Sequence, residues 1–290
     1  MINLLLCILS STSIMVLFKI IEKQKTGLFS PIVINYITAS FLGFVISNIS
    51  PLQSAQAVPL WLYFAIIIGA LFIGNFFLIG LSTQKSGIAV TTISVKMSFV
   101  IPVAFSIILD VNDNFSFTKL ILIALAAVSV YLVVSPDRGI KNDTANHILP
   151  VIIFFSIGIL DSVVKYSQYH FIDSEEFSSL FSSISFSVAG IIGIVAIFFN
   201  KRNLHSFMKI KTWILGILLG VANFGSLYFF INALNSLKFN NSIVLGINSI
   251  GIVVLSVLAA VLLFKEHFST QNKIGLTLAI LVLIFAVYNL

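Results

Sequence analysis

The sequence predicts an all-α integral membrane protein of about ten transmembrane helices, and three observations support this fold class. Hydrophobic residues make up 59% of the 290 residues and charged residues only 9%, whereas about a quarter of a soluble domain is charged. The mean hydropathy is +1.11. The apolar residues also form long stretches that short polar segments separate. A chain with so few charges needs an apolar solvent, which predicts a lipid bilayer around it.

Ten stretches are long enough to cross a bilayer, since a spanning helix needs roughly 20 mostly apolar residues. They cover 3–21, 31–48, 60–82, 87–109, 117–135, 148–168, 177–199, 211–235, 242–264 and 272–289. Turn-forming and charged residues fill the connections at 22–27, 50–59, 110–114, 135–146, 173–176, 201–211 and 265–273. The stretches lack the alternation of membrane strands and are too long for them, so each is predicted to be a helix.

The two halves of the chain resemble each other. Residues 76–85 read FFLIGLSTQK and residues 229–238 read FFINALNSLK, with similar residues at nearly every position. At nearly the same interval, further identical residues stand opposite each other: Lys19 and Lys165, Gly43 and Gly190, Lys119 and Lys273. Chance similarity between apolar helices is the alternative explanation. The pattern predicts an internal repeat.

We expect a first five-helix repeat at 1–135, a connecting loop at 136–147 and a second five-helix repeat at 148–290. Because five is an odd number, the second repeat would enter the membrane from the opposite side. Inverted repeats are the recurrent plan of secondary transporters, since two nearly equal arrangements of one unit give inward-open and outward-open states. The repeat therefore predicts a transporter that works by alternating access.

Each half carries an aromatic run that ends in Gly-Leu or Ala-Leu, then a small polar fourth helix, an acidic turn and a short apolar helix. In the second half the turn reads FKEH at 264–267, and Gly275 follows in the closing helix. Ten helices with these features resemble the EamA-type branch of the drug/metabolite transporter superfamily, where a Gly-Glu turn joins the last two helices. The first half departs from this pattern, with LDVND at 109–113.

The resemblance implies export or exchange of a small-molecule solute, such as an amino acid or a related metabolite. It also implies a central cavity lined by the first four helices of each half, with the fifth helix of each half at the periphery.

Two charged residues lie well inside predicted spans. Lys96 is near the middle of the fourth, where a charge costs about 3 kcal/mol on insertion scales. We interpret it as a cavity cation that binds a substrate carboxylate or changes protonation; a structural lysine that snorkels is the alternative. Asp161, in the sixth helix, is the candidate partner of Lys96 or carrier of a coupling proton. Lys165 offers Asp161 a different partner at i, i+4 spacing.

Polar residues mark two faces of the fourth predicted helix. One face holds Thr91, Ser94, Ser98 and Pro102, and a neighbouring face holds Thr92 and Lys96. Because Pro102 has no amide hydrogen, we expect the Ser98 carbonyl to lose its helical partner and become free for a cation, water or substrate. Small polar residues recur in the ninth predicted helix, namely Asn241, Ser242, Gly246, Asn248, Ser249, Gly251 and Ser256. Such stripes also simply let helices approach closely.

Amides inside the spans complete the predicted site, because each offers donors and an acceptor to a zwitterionic solute. The predicted substrate-binding residues are Lys96, Asn35, Asn75, Thr92, Ser98, Asn223, Tyr228 and Asn248, and the predicted charge pair is Asp161 with Lys96. Asn75 falls opposite Tyr228 in the repeat, and Asn232 belongs to the same intramembrane set. For any one amide, hydrogen bonding between helices is the alternative.

The sequence has no Walker lysine loop, no His-Glu-x-x-His, no cysteine or histidine cluster and no nucleophile elbow. We therefore expect no enzyme, catalytic residue, metal or cofactor. The net charge of +6 does not imply nucleic acid, because basic residues of membrane proteins gather near headgroups. Cys7, the single cysteine, is expected to be a packing residue. A membrane-embedded enzyme acting on lipids and a passive channel stay open as alternatives.

The distribution of basic residues bears on topology. The ends of odd-numbered predicted spans and the loops after them hold Lys19, Lys23, Lys25, Lys85, Arg138, Lys141, Lys201, Arg202, Lys209, Lys211, Lys265 and Lys273, whereas even-numbered ones hold Lys119, Lys165 and Lys238. The positive-inside rule then puts both termini outside the cytoplasm, but the resemblance implies cytoplasmic termini. The side therefore stays open, as does a homodimer. We expect a multi-pass protein of a bacterial inner membrane.

Overall fold

A computed structural model describes residues 1–46, 60–109, 117–135, 144–171, 175–236 and 241–289. Within these ranges the chain is helical and contains no strand. The helices are α1 (Ile2–Lys23), α2 (Phe29–Ile46), α3 (Leu60–Lys85), α4 (Ile88–Met97), α5 (Val100–Leu109), α6 (Phe117–Val134), α7 (Thr144–Phe171), α8 (Glu175–Phe198), α9 (Lys201–Phe207), α10 (Ile210–Ser236), α11 (Asn241–Phe264) and α12 (Thr270–Asn289).

The predicted all-α architecture is confirmed for these ranges, and ten helical segments are long and apolar enough to cross a membrane. The inverted repeats stay a prediction. Two details differ from the prediction. The fourth span, predicted as one helix at 87–109, is divided into α4 and α5. The connection predicted at 201–211 contains the short helix α9. The predicted connections at 50–59 and 110–114 lie outside the described residues, as do most of 135–146 and part of 173–176.

The described chain forms two compact units. Unit 1 comprises Met1–Lys19, Leu78–Ser162 and Ser226–Leu290, and unit 2 comprises Ile20–Phe77 and Val163–Gly225. Neither unit coincides with a predicted repeat, because each takes corresponding segments from both halves of the sequence. Helices α1, α3, α7 and α10 contribute to both units.

In unit 2, α2 packs along α8 at positions that lack bulky side chains. A Cβ atom added at Gly193 of α8 would come within 2.6 Å of Val33 and 2.7 Å of Ile73. The hydroxyls of Ser40 and Ser187 form a hydrogen bond of 2.6 Å across the same interface. Since lipid gives no hydrophobic drive for helix association, close backbone approach and polar contacts hold such helices together.

In unit 1, α6 packs on α12 and α4 packs on α11. Carbonyl groups at the C-terminal end of α6 have hydrogen-bond partners on other helices. The side-chain Nδ2 of Asn272 donates to the Val133 carbonyl at 2.6 Å, and Nδ1 of His147 lies 2.6 Å from the Val134 carbonyl. These contacts supply the partners that the last carbonyls of a helix otherwise lack.

Glu266, in the turn between α11 and α12, caps the N-terminus of α4. The Ile88 amide lies 2.9 Å from Oε1 and 3.1 Å from Oε2 of this carboxylate. Gly87, directly before Ile88, has φ 100° and ψ 164°, a conformation that essentially only glycine adopts. Lys265 ends α11 with φ 55°, and its amide donates to the Val261 carbonyl at 3.1 Å, as in an αL helix cap.

These contacts agree with ten crossings of the membrane. Glu266 follows the ninth span and Ile88 follows the third, so both belong on one side. In unit 2, the Ser206 hydroxyl, after the seventh span, donates to the Thr26 carbonyl, after the first.

We predict that Gly87→Ala lowers the free energy of unfolding by about 1–3 kcal/mol, because a methyl group there forces both an unfavourable φ and a clash with the Glu266 carboxylate. Gly74→Ala is the matched control, since no atom lies within 4 Å of a Cβ at this helical position. Unfolding by sodium dodecyl sulfate titration in micelles measures both variants. Equal losses in the two would contradict this role of Gly87.

Candidate functional site

The fourth span, Ile88–Phe105, has its regular α-helix interrupted by a turn at Ser98 and Phe99, which the sequence did not reveal. α4 ends at Met97, α5 begins at Val100, and the break falls halfway along the two helices. Our expectation that Pro102 leaves the Ser98 carbonyl free was wrong. The hydrogen bond to this carbonyl spans three residues instead of four, because the Ile101 amide donates to it at 2.9 Å. The proline therefore breaks the helix without leaving this carbonyl unpaired.

Lys96 lies in the last turn of α4, directly before the break. The C-terminal end of a helix carries partial negative charge, which favours a cation there. Its side chain is half-buried, and it lies within electrostatic reach of Asp161 and Cys7. Among the described residues, no carboxylate forms an ion pair with it at 4.0 Å or less. The break thus creates, in mid-span, a setting in which an ammonium group is stabilised.

Asp161 of α7 is the acidic residue that interacts with Lys96. Its side chain is exposed. Gly158, one turn earlier, allows this approach: a Cβ there would come within 2.5 Å of Cβ and 2.8 Å of Cγ1 of Ile101 on α5. The two side chains are thus within electrostatic reach of each other, and their pairing stays a prediction.

Cys7 of α1 belongs to the same cluster, although we expected only a packing residue. The thiol is buried and donates to the Ser226 carbonyl at 3.2 Å. The side chains of Ser11 and Asn248 approach it as well. Gly251, one turn after Asn248, brings α11 against α1, because a Cβ there would lie 2.5 Å from Cδ1 of Ile8. We call Cys7, Ser11, Lys96, Asp161 and Asn248 the Lys96 cluster.

Some buried polar atoms of unit 1 have no partner among the described residues. They include Oγ1 of Thr92, one turn before Lys96 on α4, and Oδ1 of Asn248. Leaving such an atom unsatisfied costs about 1–3 kcal/mol, so these atoms call for a polar group or water. Both were predicted as substrate-binding residues, and the structure puts Asn248 in the Lys96 cluster.

Three other predicted residues lie in unit 2. Asn35 of α2 is completely buried, and neither polar atom of its amide has a partner among the described residues. Asn75 of α3 donates to the Leu71 carbonyl at 3.0 Å, whereas its Oδ1 has none. Asn223 lies half-buried on α10. The Asn35 amide and the Asn75 side-chain oxygen thus have no hydrogen-bond partner among the described residues.

The remaining predicted residues belong to unit 1. The Ser98 hydroxyl donates to the Val95 carbonyl at 2.6 Å, within its own helix turn. Tyr228 is 38% exposed, and its backbone carbonyl accepts from the side-chain Nδ2 of Asn232 at 2.8 Å. The side chains of Asn241 and Ser242 lie outside the described residues.

The comparisons with known proteins agree with this architecture. No protein-family model matches the chain. An uncharacterized protein of Haemophilus influenzae is 27% identical over 300 residues, an alignment that covers 99% of this chain and 98% of that protein. A solved crystal structure matches with a TM-score of 0.55 at 13% identity and covers 97% of both chains, which shows likeness of fold alone. The fold defines a multi-pass, all-helical membrane protein.

We predict that Lys96 and Asp161 are energetically coupled. Lys96→Met and Asp161→Asn each leave a charge without its counter-charge, so the double variant should lose less unfolding free energy than the sum of the singles, by on the order of 1 kcal/mol. Denaturant titration of the three variants in micelles measures this. Lys96→Met combined with Lys273→Met, an exposed cation of α12, should be additive. Additivity for Lys96 and Asp161 as well would contradict the coupling.

Proposed function

We propose that this protein is a secondary transporter that moves a small carboxylate-bearing or zwitterionic metabolite across the membrane by alternating access. One observation carries the proposal: a lysine lies in the middle of a membrane helix, directly before its interruption at Ser98 and Phe99, with an acid within electrostatic reach. Transporters build substrate sites near the bilayer midplane from discontinuous helices. Ionisable residues inside the membrane are expensive, and they mark solute or ion pathways.

The Lys96 cluster provides the chemistry that such a site needs. The Lys96 ammonium would bind the carboxylate of the solute, and Asp161 would bind an ammonium group of a zwitterion. Without solute, the two side chains would compensate each other, since they lie within electrostatic reach. An arriving zwitterion would replace both halves of this interaction, so neither charge loses its partner. The unpartnered oxygens of Thr92 and Asn248 would add hydrogen-bond acceptors for the ammonium.

Two inverted repeats would supply the conformational change. Helices at equivalent positions of the predicted repeats pack on each other: α2 on α8, α4 on α11 and α6 on α12. Such pairing supports a two-fold relation, in which an element meets its own copy. Both compact units combine corresponding segments of the two halves, which favours the same relation. An odd number of crossings per repeat would then invert the second.

The direction of transport and the membrane that contains the protein are also part of the proposal. The resemblance to EamA-type proteins favours export of an amino acid or related solute. An all-helical chain favours a bacterial inner membrane, because outer-membrane proteins of this kind are barrels. A membrane-embedded enzyme and a passive channel remain the rivals that an assay has to separate from a transporter.

We predict that anionic or zwitterionic solutes raise the melting temperature of the purified wild type but not of Lys96→Met, because a ligand stabilises only a protein that binds it. A panel of amino acids, organic acids, nucleosides and amines covers the candidate chemistry. Lys273→Met, which removes an exposed lysine elsewhere, should respond like the wild type.

The active solute should then show saturable uptake into proteoliposomes that contain wild type. Equal melting shifts in wild type and Lys96→Met would contradict solute binding by Lys96. Uptake that rises linearly with concentration would favour the passive channel instead.

A further inference from the structure

Five basic side chains converge at one end of unit 2. They are Lys25, in the α1–α2 turn, and Lys201, Arg202, Lys209 and Lys211, around α9. We call these five residues the basic end. All five are exposed, and they lie at or beyond the ends of the membrane spans. This is the depth at which lipid headgroups meet a protein.

Hydrogen bonds between distant parts of the sequence hold the basic end together. The Ser206 hydroxyl of α9 donates to the Thr26 carbonyl, and the Ser30 hydroxyl donates to the Asn203 carbonyl at 2.9 Å. Gly27, at φ 80°, lets the turn lie against Ser206. The α1–α2 turn and α9 are therefore fixed against each other, although about 180 residues separate them.

α9 is itself rigidly placed. The Asn200 side chain caps it by accepting from the Arg202 amide at 3.0 Å, and the Trp213 indole donates to the Phe207 carbonyl at 2.8 Å. The Trp213 and Phe207 rings pack with their centroids 5.2 Å apart. The cations around α9 thus belong to a helix that is held in place by hydrogen bonds and ring packing.

Large apolar side chains stand beside these cations. Phe199 is 87% exposed and Met208 79% exposed, and Phe198 and Ile210 are exposed as well. Exposure of such an apolar patch to water is unfavourable. Apolar side chains that enter the acyl region, next to cations at headgroup level, are typical of protein segments that lie in the membrane interface.

No acidic side chain of the described residues forms an ion pair with the basic end at 4.0 Å or less. Its positive charge is therefore available to an external anion. Because exposed cations and exposed apolar groups alternate along the same segment, the matching partner has a negative headgroup joined to an acyl tail. A soluble anion would leave the apolar side chains uncovered.

We propose that the basic end binds the phosphate headgroups of anionic phospholipids in the surrounding bilayer. The five cations contact the phosphodiesters, and Phe198, Phe199, Met208 and Ile210 enter the acyl region below them. Clusters of lysine and arginine beside a membrane span are attracted to anionic lipid in this way. This interaction is independent of the proposed solute site, which lies in unit 1.

The test compares two triple variants that lose the same charge. Lys201→Gln/Lys209→Gln/Lys211→Gln removes three cations of the basic end, and Lys85→Gln/Lys265→Gln/Lys273→Gln removes three exposed lysines of unit 1. The probe is a fluorescent phosphatidylglycerol, whose binding is measured in phosphatidylcholine nanodiscs by energy transfer from tryptophan. Melting temperatures in pure phosphatidylcholine verify that both variants are folded.

We expect the basic-end variant to bind phosphatidylglycerol at least about tenfold more weakly than the wild type, and the control variant to change by less than about twofold. High salt should weaken binding to the wild type more than to the basic-end variant, because salt screens exposed charges. Equal weakening in the two triple variants, or binding that salt does not affect, would overturn the proposal. Solute-dependent melting shifts should persist in the basic-end variant, so the two proposals fail separately.

Discussion

A cation in the middle of an apolar span requires a polar environment, and this requirement organises unit 1. Lys96 lies in the last turn of α4, where the partial negative charge of a helix C-terminus favours a cation. Asp161 on α7 and Cys7 on α1 lie within electrostatic reach of it, and the Asn248 side chain approaches Cys7.

Close helix approach makes this arrangement possible. Gly158 brings α7 against α5, and Gly251 brings α1 against α11, so two glycines lie within one turn of cluster residues. At the far end of α4, Glu266 and Gly87 fix where the helix begins. The position of Lys96 therefore depends on contacts at both ends of a ten-residue helix.

Much of the fold could be predicted from composition and span length, because lipid forces each apolar stretch of about 20 residues to be helical. The break after Met97 could not, since Pro102 predicted a distortion but not that Ile101 would take up the Ser98 carbonyl. The short helix α9 was hidden in a polar connection, where periodicity carries little information. Its cap, Asn200, gave a local signal that was overlooked.

The candidate site was predicted in part. Lys96 and Asp161 stood out because charges inside spans are rare, whereas Cys7 resembles any small apolar residue and is placed in the cluster by tertiary contacts alone.

Alternating access to Cys7 tests the central claim most directly, because it is the single cysteine of the chain and lies in the Lys96 cluster. The measurement is the rate at which a membrane-impermeant thiol reagent, added to one side of oriented proteoliposomes or the other, modifies wild type with and without solute. The account predicts reaction from either side, with solute slowing both rates in wild type and neither in Lys96→Met. Reaction from one side only, or rates that solute leaves unchanged, would contradict it.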